Sequence, residues 1–178
     1  MNDTLITIVA IFIAAVLMFV FPLMTIADRN DNIAKDAVKE KTVEFVNKEI
    51  NIGAITSADL TSYKETINSL GHVFDVSLEV QKMDDNVGKK TTFTTGDVKG
   101  ENVYYSVYTN TIENEIGAKG KYVLKEGDIF SCRAENKDTT IAQSLRNAFY
   151  SVTGKGTYTI SGDYAGMVQN NGSSVTVK

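Results

Sequence analysis

Polarity along the chain falls into two regimes that meet near residue 28. From Leu5 to Ala27 the sequence LITIVAIFIAAVLMFVFPLMTIA carries no charge, and only Thr7, Pro22 and Thr25 interrupt its apolar run. At about 1.5 Å per residue this stretch reaches roughly 35 Å as a helix, enough to cross a hydrocarbon core of about 30 Å with slight tilt. It therefore predicts a membrane-spanning helix. A cleaved signal peptide would have a basic amino-terminal region and a shorter apolar run. Met1 to Thr4 hold no Lys or Arg, so an uncleaved anchor is the better reading, although Thr25 and Ala27 would suit cleavage before Asp28. A buried soluble helix fits poorly, because the roughly 150 residues that follow cannot easily wrap a helix that is apolar all round.

Beyond Asp28 the pattern becomes periodic. Asp28 to Glu49 contains no Pro or Gly, and acids and bases alternate around Ile33, Ala34, Ala37, Val38 and Phe45. This predicts an amphipathic helix continuing from the anchor, bent near Pro22 and ended by Gly53. Thr56 and Ser57 offer N-caps for a second helix carrying Leu60, Tyr63, Ile67 and Leu70, which stops at Gly71. Phe74, Val76, Leu78 and Val80 then alternate with polar residues, the period of a strand buried on one face. Asp84 to Lys90 reads as a turn and Thr91 to Thr95 as a short returning strand. Glu101 to Gly117 is expected to be helical, since Tyr105, Tyr108, Ile112 and Ile116 fall on one helical face, although Val103, Tyr104, Tyr105 and Val107 favour strand.

Lys121 to Leu124 and Ile129 to Glu135 predict strands around a turn at Glu126-Gly127-Asp128, with Phe130, Cys132 and Ala134 on one side. Ile141, Leu145, Ala148, Phe149 and Val152 mark another helix, capped near Thr139. Tyr158 to Ser161 and Tyr164 to Val168 are expected to form a hairpin about a Gly162-Asp163 turn. Val175 and Val177 suggest an edge strand. The expected fold class is α+β: an N-terminal transmembrane helix continuing into a long helix, then an antiparallel sheet packed on helices. The chain divides into an anchor at 1–27, an amphipathic helix and linker at 28–55, and an α+β domain at 56–178.

Composition narrows the functional classes. The formal charge is −4 and no basic stripe is visible, which argues against nucleic acid as a partner. With one cysteine, Cys132, and one histidine, His72, the chain offers neither an intramolecular disulfide nor a structural zinc site. Cys132 is expected to be an inert core thiol and His72 a solvated loop residue. Asp84, Asp85, Asn86 and Gly88 share the opening of a calcium loop, but Thr95 and Gly96 stand where its closing carboxylate belongs. Gly154-Lys155-Gly156-Thr157 resembles the end of a phosphate loop, yet lacks the upstream glycine and joins helix to strand rather than strand to helix. Lys89 and Lys90 beside Phe93 read as solvated turn residues. No catalytic constellation, metal site or cofactor site is expected, and the chain does not read as an enzyme.

Thr7, Ala10 and Ala14 form the candidate functional set. They lie at i, i+3 and i+7, so small side chains share one face of the anchor, while Phe12, Leu17, Phe19 and Phe21 largely occupy others. In lipid, helices associate through close van der Waals packing, which small faces permit. The expected partners are membrane lipid and either other subunits of a membrane or pilus-like assembly or further copies of this chain.

The short amino end, the apolar stretch VAIFIAAVLMFVFPLM with Pro22 late in it, the amphipathic continuation and the β-rich end resemble type IV pilin-like proteins. The likeness rests on about the first 50 residues, and Leu5 stands where pilins usually carry a glutamate. The later stretch KYVLKEGDIFSCRAENKDTTIAQSLRNAFY is similar to membrane-anchored proteins of Gram-positive bacteria, including accessory pseudopilins of tight-adherence pili. The resemblance implies a single-pass protein of the cell membrane with an extracytoplasmic domain. Counting Arg29, Lys35, Lys39 and Lys41 after the anchor and no Lys or Arg before it points the other way, but those charges alternate with Asp28, Asp31, Asp36 and Glu40. The expected function is a structural or interaction protein, such as a minor pilin-like or secretion-apparatus component. The alternative is a membrane-anchored ligand-binding or sensor domain. An exposed apolar seam along Ile33 to Phe45 would favour the first, and a cleft lined by buried polar groups the second.

Overall fold

A computed structural model describes residues 2–83, 104–150 and 159–172. A single helix, α1 (Asn2–Ile52), runs through Pro22 without interruption and is about 75 Å long. It ends where Gly53 takes φ 78°, its N–H donating to the Glu49 carbonyl at 2.8 Å. A Cβ at Gly53 would stand 2.1 Å from the Asn170 carbonyl oxygen, so only glycine lets the chain cross there.

The remaining elements are β1 (Ala54–Thr56), α2 (Ser57–Asn68), β2 (Phe74–Met83), β3 (Tyr104–Tyr108), α3 (Thr109–Lys119), β4 (Lys121–Val123), β5 (Ile129–Asn136), α4 (Ile141–Tyr150) and β6 (Ser161–Met167). Thr56 caps α2, its Oγ1 accepting from the Asp59 N–H at 3.1 Å. Four antiparallel strands form one sheet in the order β3-β2-β5-β6, and β1 pairs with β4 in a two-stranded sheet. The fold is α+β, as the polarity pattern predicted.

The core lies between the four-stranded sheet and the carboxyl half of α1. Phe74, Val76, Leu78 and Val80 on β2 and Phe130, Cys132 and Ala134 on β5 point inward, and α1 answers with Val38, Phe45, Val46 and Ile50. At its centre Phe45 stacks on Tyr63 of α2 at 4.4 Å between centroids and meets Phe130 edge-on at 5.9 Å. The Tyr63 hydroxyl and Thr42 Oγ1 lie 2.8 Å apart, which satisfies both buried groups.

Three expectations are corrected by this arrangement. The helix expected over Glu101–Gly117 is split: Tyr104–Tyr108 is a strand paired with Glu79–Met83, and the helix begins only at Thr109. Thr109 Oγ1 accepts from the Leu78 N–H at 2.8 Å, which stitches the start of α3 to β2. Gly162 and Asp163 do not form a turn but lie inside β6, paired with Ala134 and Arg133. Gly162 is there for proximity, because a Cβ would sit 2.9 Å from the Lys39 backbone; β6 presses directly on α1. Finally, Lys121–Val123 pairs with Ala54–Thr56, not with the strand across the Glu126-Gly127-Asp128 turn. The turn expected at Asp84–Lys90, the strands at Thr91–Thr95 and Val175–Val177, the calcium-like and phosphate-loop-like fragments, and Lys89, Lys90 and Phe93 lie outside the described residues.

Candidate functional site

The place where α1 leaves its bare stretch and enters the domain is built by α4. Thr140 begins that helix as one half of a capping box: its Oγ1 accepts from the Gln143 N–H at 3.1 Å, and Gln143 Oε1 accepts from the Thr140 N–H at 2.9 Å. The cap therefore falls one residue beyond the expected Thr139. The same Thr140 hydroxyl donates to Asp31 Oδ2 at 2.6 Å, and the Asp31 side chain is buried by the contact. Nearly two turns beyond Thr140 along α4, Arg146 reaches Asp28 at 2.7 Å. Two acids on one face of α1 thus pin α4 across the start of the covered half of the helix.

His72 joins this end of the molecule. It was expected in solvent; instead it is partly buried, with Nδ1 3.1 Å from Asp138 Oδ2 and its ring edge-on to Phe74. Asp138 also accepts from the Val73 N–H at 3.2 Å, which ties the α2–β2 loop to the β5–α4 loop. Leu23, Ile26, Ala27, Asn30, Asp31, His72, Thr140 and Ile141 together line a recess of about 190 Å³. A second recess, of about 150 Å³, lies between α1 and α2 beside the Lys48–Asp59 ion pair.

Behind that second recess sits an unusual group. Glu49 is fully buried, and neither of its carboxyl oxygens has a hydrogen-bond partner among the described residues. Burial, reinforced by the nearby Asp59 carboxylate and opposed by Lys48, pushes its pKa up to about 8. It is held as the neutral acid at neutral pH. Asp59 behaves oppositely: burial works against its charge, but hydrogen bonds from Lys48 and Thr56 keep its pKa below the usual value.

Thr7, Ala10 and Ala14 lie on the bare part of α1, all exposed, with the Thr7 hydroxyl donating to the Asp3 carbonyl at 2.8 Å. No described residue of the domain covers them. Cys132 is buried, its Sγ 3.7 Å from the Tyr63 hydroxyl, and burial raises its pKa to about 12, which makes an inert thiol. Among the described residues no group of three or more His, Cys, Asp and Glu converges as a metal site. The Thr140-x-x-Gln143 box was legible as a capping signature. The burial of Asp31 was not, because it stands in a run of alternating charges like any solvated acid.

Comparison with known family models, with curated proteins and with solved structures finds no match to this chain.

Proposed function

We propose that this chain is a single-pass membrane-anchored structural or interaction protein, a minor pilin-like or secretion-apparatus component whose domain lies outside the cytoplasm. One observation carries the reading: within one unbroken helix, no apolar residue from Leu5 to Ile26 is buried and most are exposed, while from Ala27 onward the helix is the spine of a sheet. An apolar surface of that length in water is a large unfavourable exposure that a bilayer removes. A long helix backed by an antiparallel sheet also suits the pilin-like resemblance.

The exposed apolar seam along Ile33 to Phe45 that would favour assembly is not found, since Ala34, Val38 and Phe45 face the core and Ile33 alone of the large apolar residues there stays exposed. The anchor is the remaining assembly surface, and Thr7, Ala10 and Ala14 are its closest-approach face for subunits of a membrane assembly or a second copy. The recesses beside α1 hold about 150 and 190 Å³, below the usual range for small-molecule sites of about 300–1,000 Å³, but those over the exposed face of β2 and β5 hold about 410, 460 and 490 Å³, so volume does not set a ligand-binding role aside.

Alkaline carbonate washing of membranes that hold the full chain tests the anchor: the protein should stay in the pellet with its amino end intact. Release, or a mature chain that starts at Asp28, would overturn it. Replacing Ala10 and Ala14 together with Leu should leave the chain in the pellet but reduce crosslinked oligomer or co-purified partner. Unchanged association would reduce the helix to a tether.

A further inference from the structure

The anchor and the domain share a recess, and that fixes how far the domain stands from the bilayer. If the hydrocarbon core begins near Leu5, about 30 Å of helix brings it to Met24, and the headgroup layer beyond covers about the next four or five residues. The recess is lined on the helix side by residues between Leu23 and Asp31, and on the domain side by His72, Thr140 and Ile141. The recess therefore opens at the level of the headgroups, with Thr140, held by Asp31 about 10 Å along the helix from Met24, at its outer edge. The domain-side residues cannot swing away while Thr140 holds Asp31 at 2.6 Å and Arg146 holds Asp28 at 2.7 Å.

Side chains at this level suit a lipid surface. Ile141 is 67% exposed, and Val73, the neighbour of His72, is 58% exposed; next to them Leu23 and Ile26 are 50% and 59% exposed. In a domain held clear of the membrane, two large aliphatic side chains would face water beside an apolar helix. The nearby charges are of both signs, with Arg146 on Asp28 and Lys137 on Asp75, so the surface does not call for anionic lipid.

We propose that this end of the domain is seated on the bilayer, with Ile141 and Val73 in contact with the headgroup and upper acyl region of zwitterionic lipid. The inference rests on the anchor reading and deepens it: the domain docks on the surface from which its own helix emerges.

The chain contains no Trp, so introduced tryptophans report without background. The full-length variants Ile141→Trp, Val73→Trp, Phe12→Trp and Glu126→Trp are each reconstituted into phosphatidylcholine vesicles with and without brominated acyl chains. Glu126 is exposed at the far end of the domain, where the Gln169 N–H meets the Ile50 carbonyl, about 36 Å along the helix from Ile26. Phe12→Trp should lose most fluorescence to bromine and Glu126→Trp essentially none. Quenching at Ile141 or Val73, between those two limits, supports the proposal. If Phe12→Trp is quenched while Ile141→Trp and Val73→Trp both match Glu126→Trp, the domain stands off and the proposal is overturned with the anchor intact. If Phe12→Trp itself escapes quenching, the anchor reading has failed and this one falls with it.

Discussion

The two halves of α1 are one backbone with two distributions of apolar surface. Before Ala27 large apolar side chains point in every direction and none meets the sheet; after it, apolar positions narrow to a stripe of Ala34, Val38, Phe45, Val46 and Ile50, and the opposite face is charged. Helical propensity does not separate the halves. What separates them is which faces must be hidden: a helix that is apolar all round needs a medium on all sides, and a striped helix needs one neighbour. The second half can therefore also carry what lipid would penalise, a buried Thr42 bonded to Tyr63 and a buried Glu49.

Truncation of the same residue type in each half should break the symmetry most sharply. Phe45→Ala removes the ring stacked on Tyr63 and should cost about 3–5 kcal/mol in urea unfolding of the full chain in detergent micelles, while Phe12→Ala should leave the domain's midpoint where it was. Similar losses at both positions would mean that the anchor is part of the folded core. A smaller effect is expected where β6 presses on α1: Gly162→Val should cost about 1–3 kcal/mol by overpacking against Lys39, whereas Ala165→Val, at an exposed position, should change thermal stability little. Equal behaviour of the two would show that helix and strand have room to separate.

Glu49 sharpens the contrast through pH. Its pKa is raised from 4.5 to about 8 in the folded protein, so between those values the folded state holds a proton that the unfolded state has released. Stability from this group is complete below about pH 4.5 and declines as pH rises through 8, with a slope of at most about 1.4 kcal/mol per pH unit. Glu49→Gln should flatten that limb, giving a variant that melts higher than the parent at pH 8 and differs less at pH 5. Parallel melting curves across the range would mean that Glu49 finds a partner or water in solution.

Elements whose fate depended on a single periodic face were legible in the residues. Helix α2 behind its Thr56 cap and β2 with its strict alternation could be placed because burial on one side dictates period 3.6 or 2 whatever the partner is. The buried Cys132 followed from the same alternation on β5. Tyr104–Tyr108 was misread because its residues satisfy both periods, and its state is settled by the free edge of β2, a partner distant in the chain. At the junction, the cap of α4 was expected near Thr139 and falls at Thr140, and nothing local marked which acids it would bury.

By itself the sequence determined that one helix must be hidden on every side and that an α+β domain follows it, since polarity pattern alone states how much surface each element has to remove from water. Only the tertiary structure decided that Gly162 is a close approach and not a turn, that Glu49 is sealed without a partner among the described residues, and that Asp28 and Asp31 clamp α4 beside the end of the apolar stretch. Those outcomes depend on contacts between residues more than 100 positions apart, as Thr140 is from Asp31 and Gly162 from Lys39, and such contacts exist only once the chain has closed on itself.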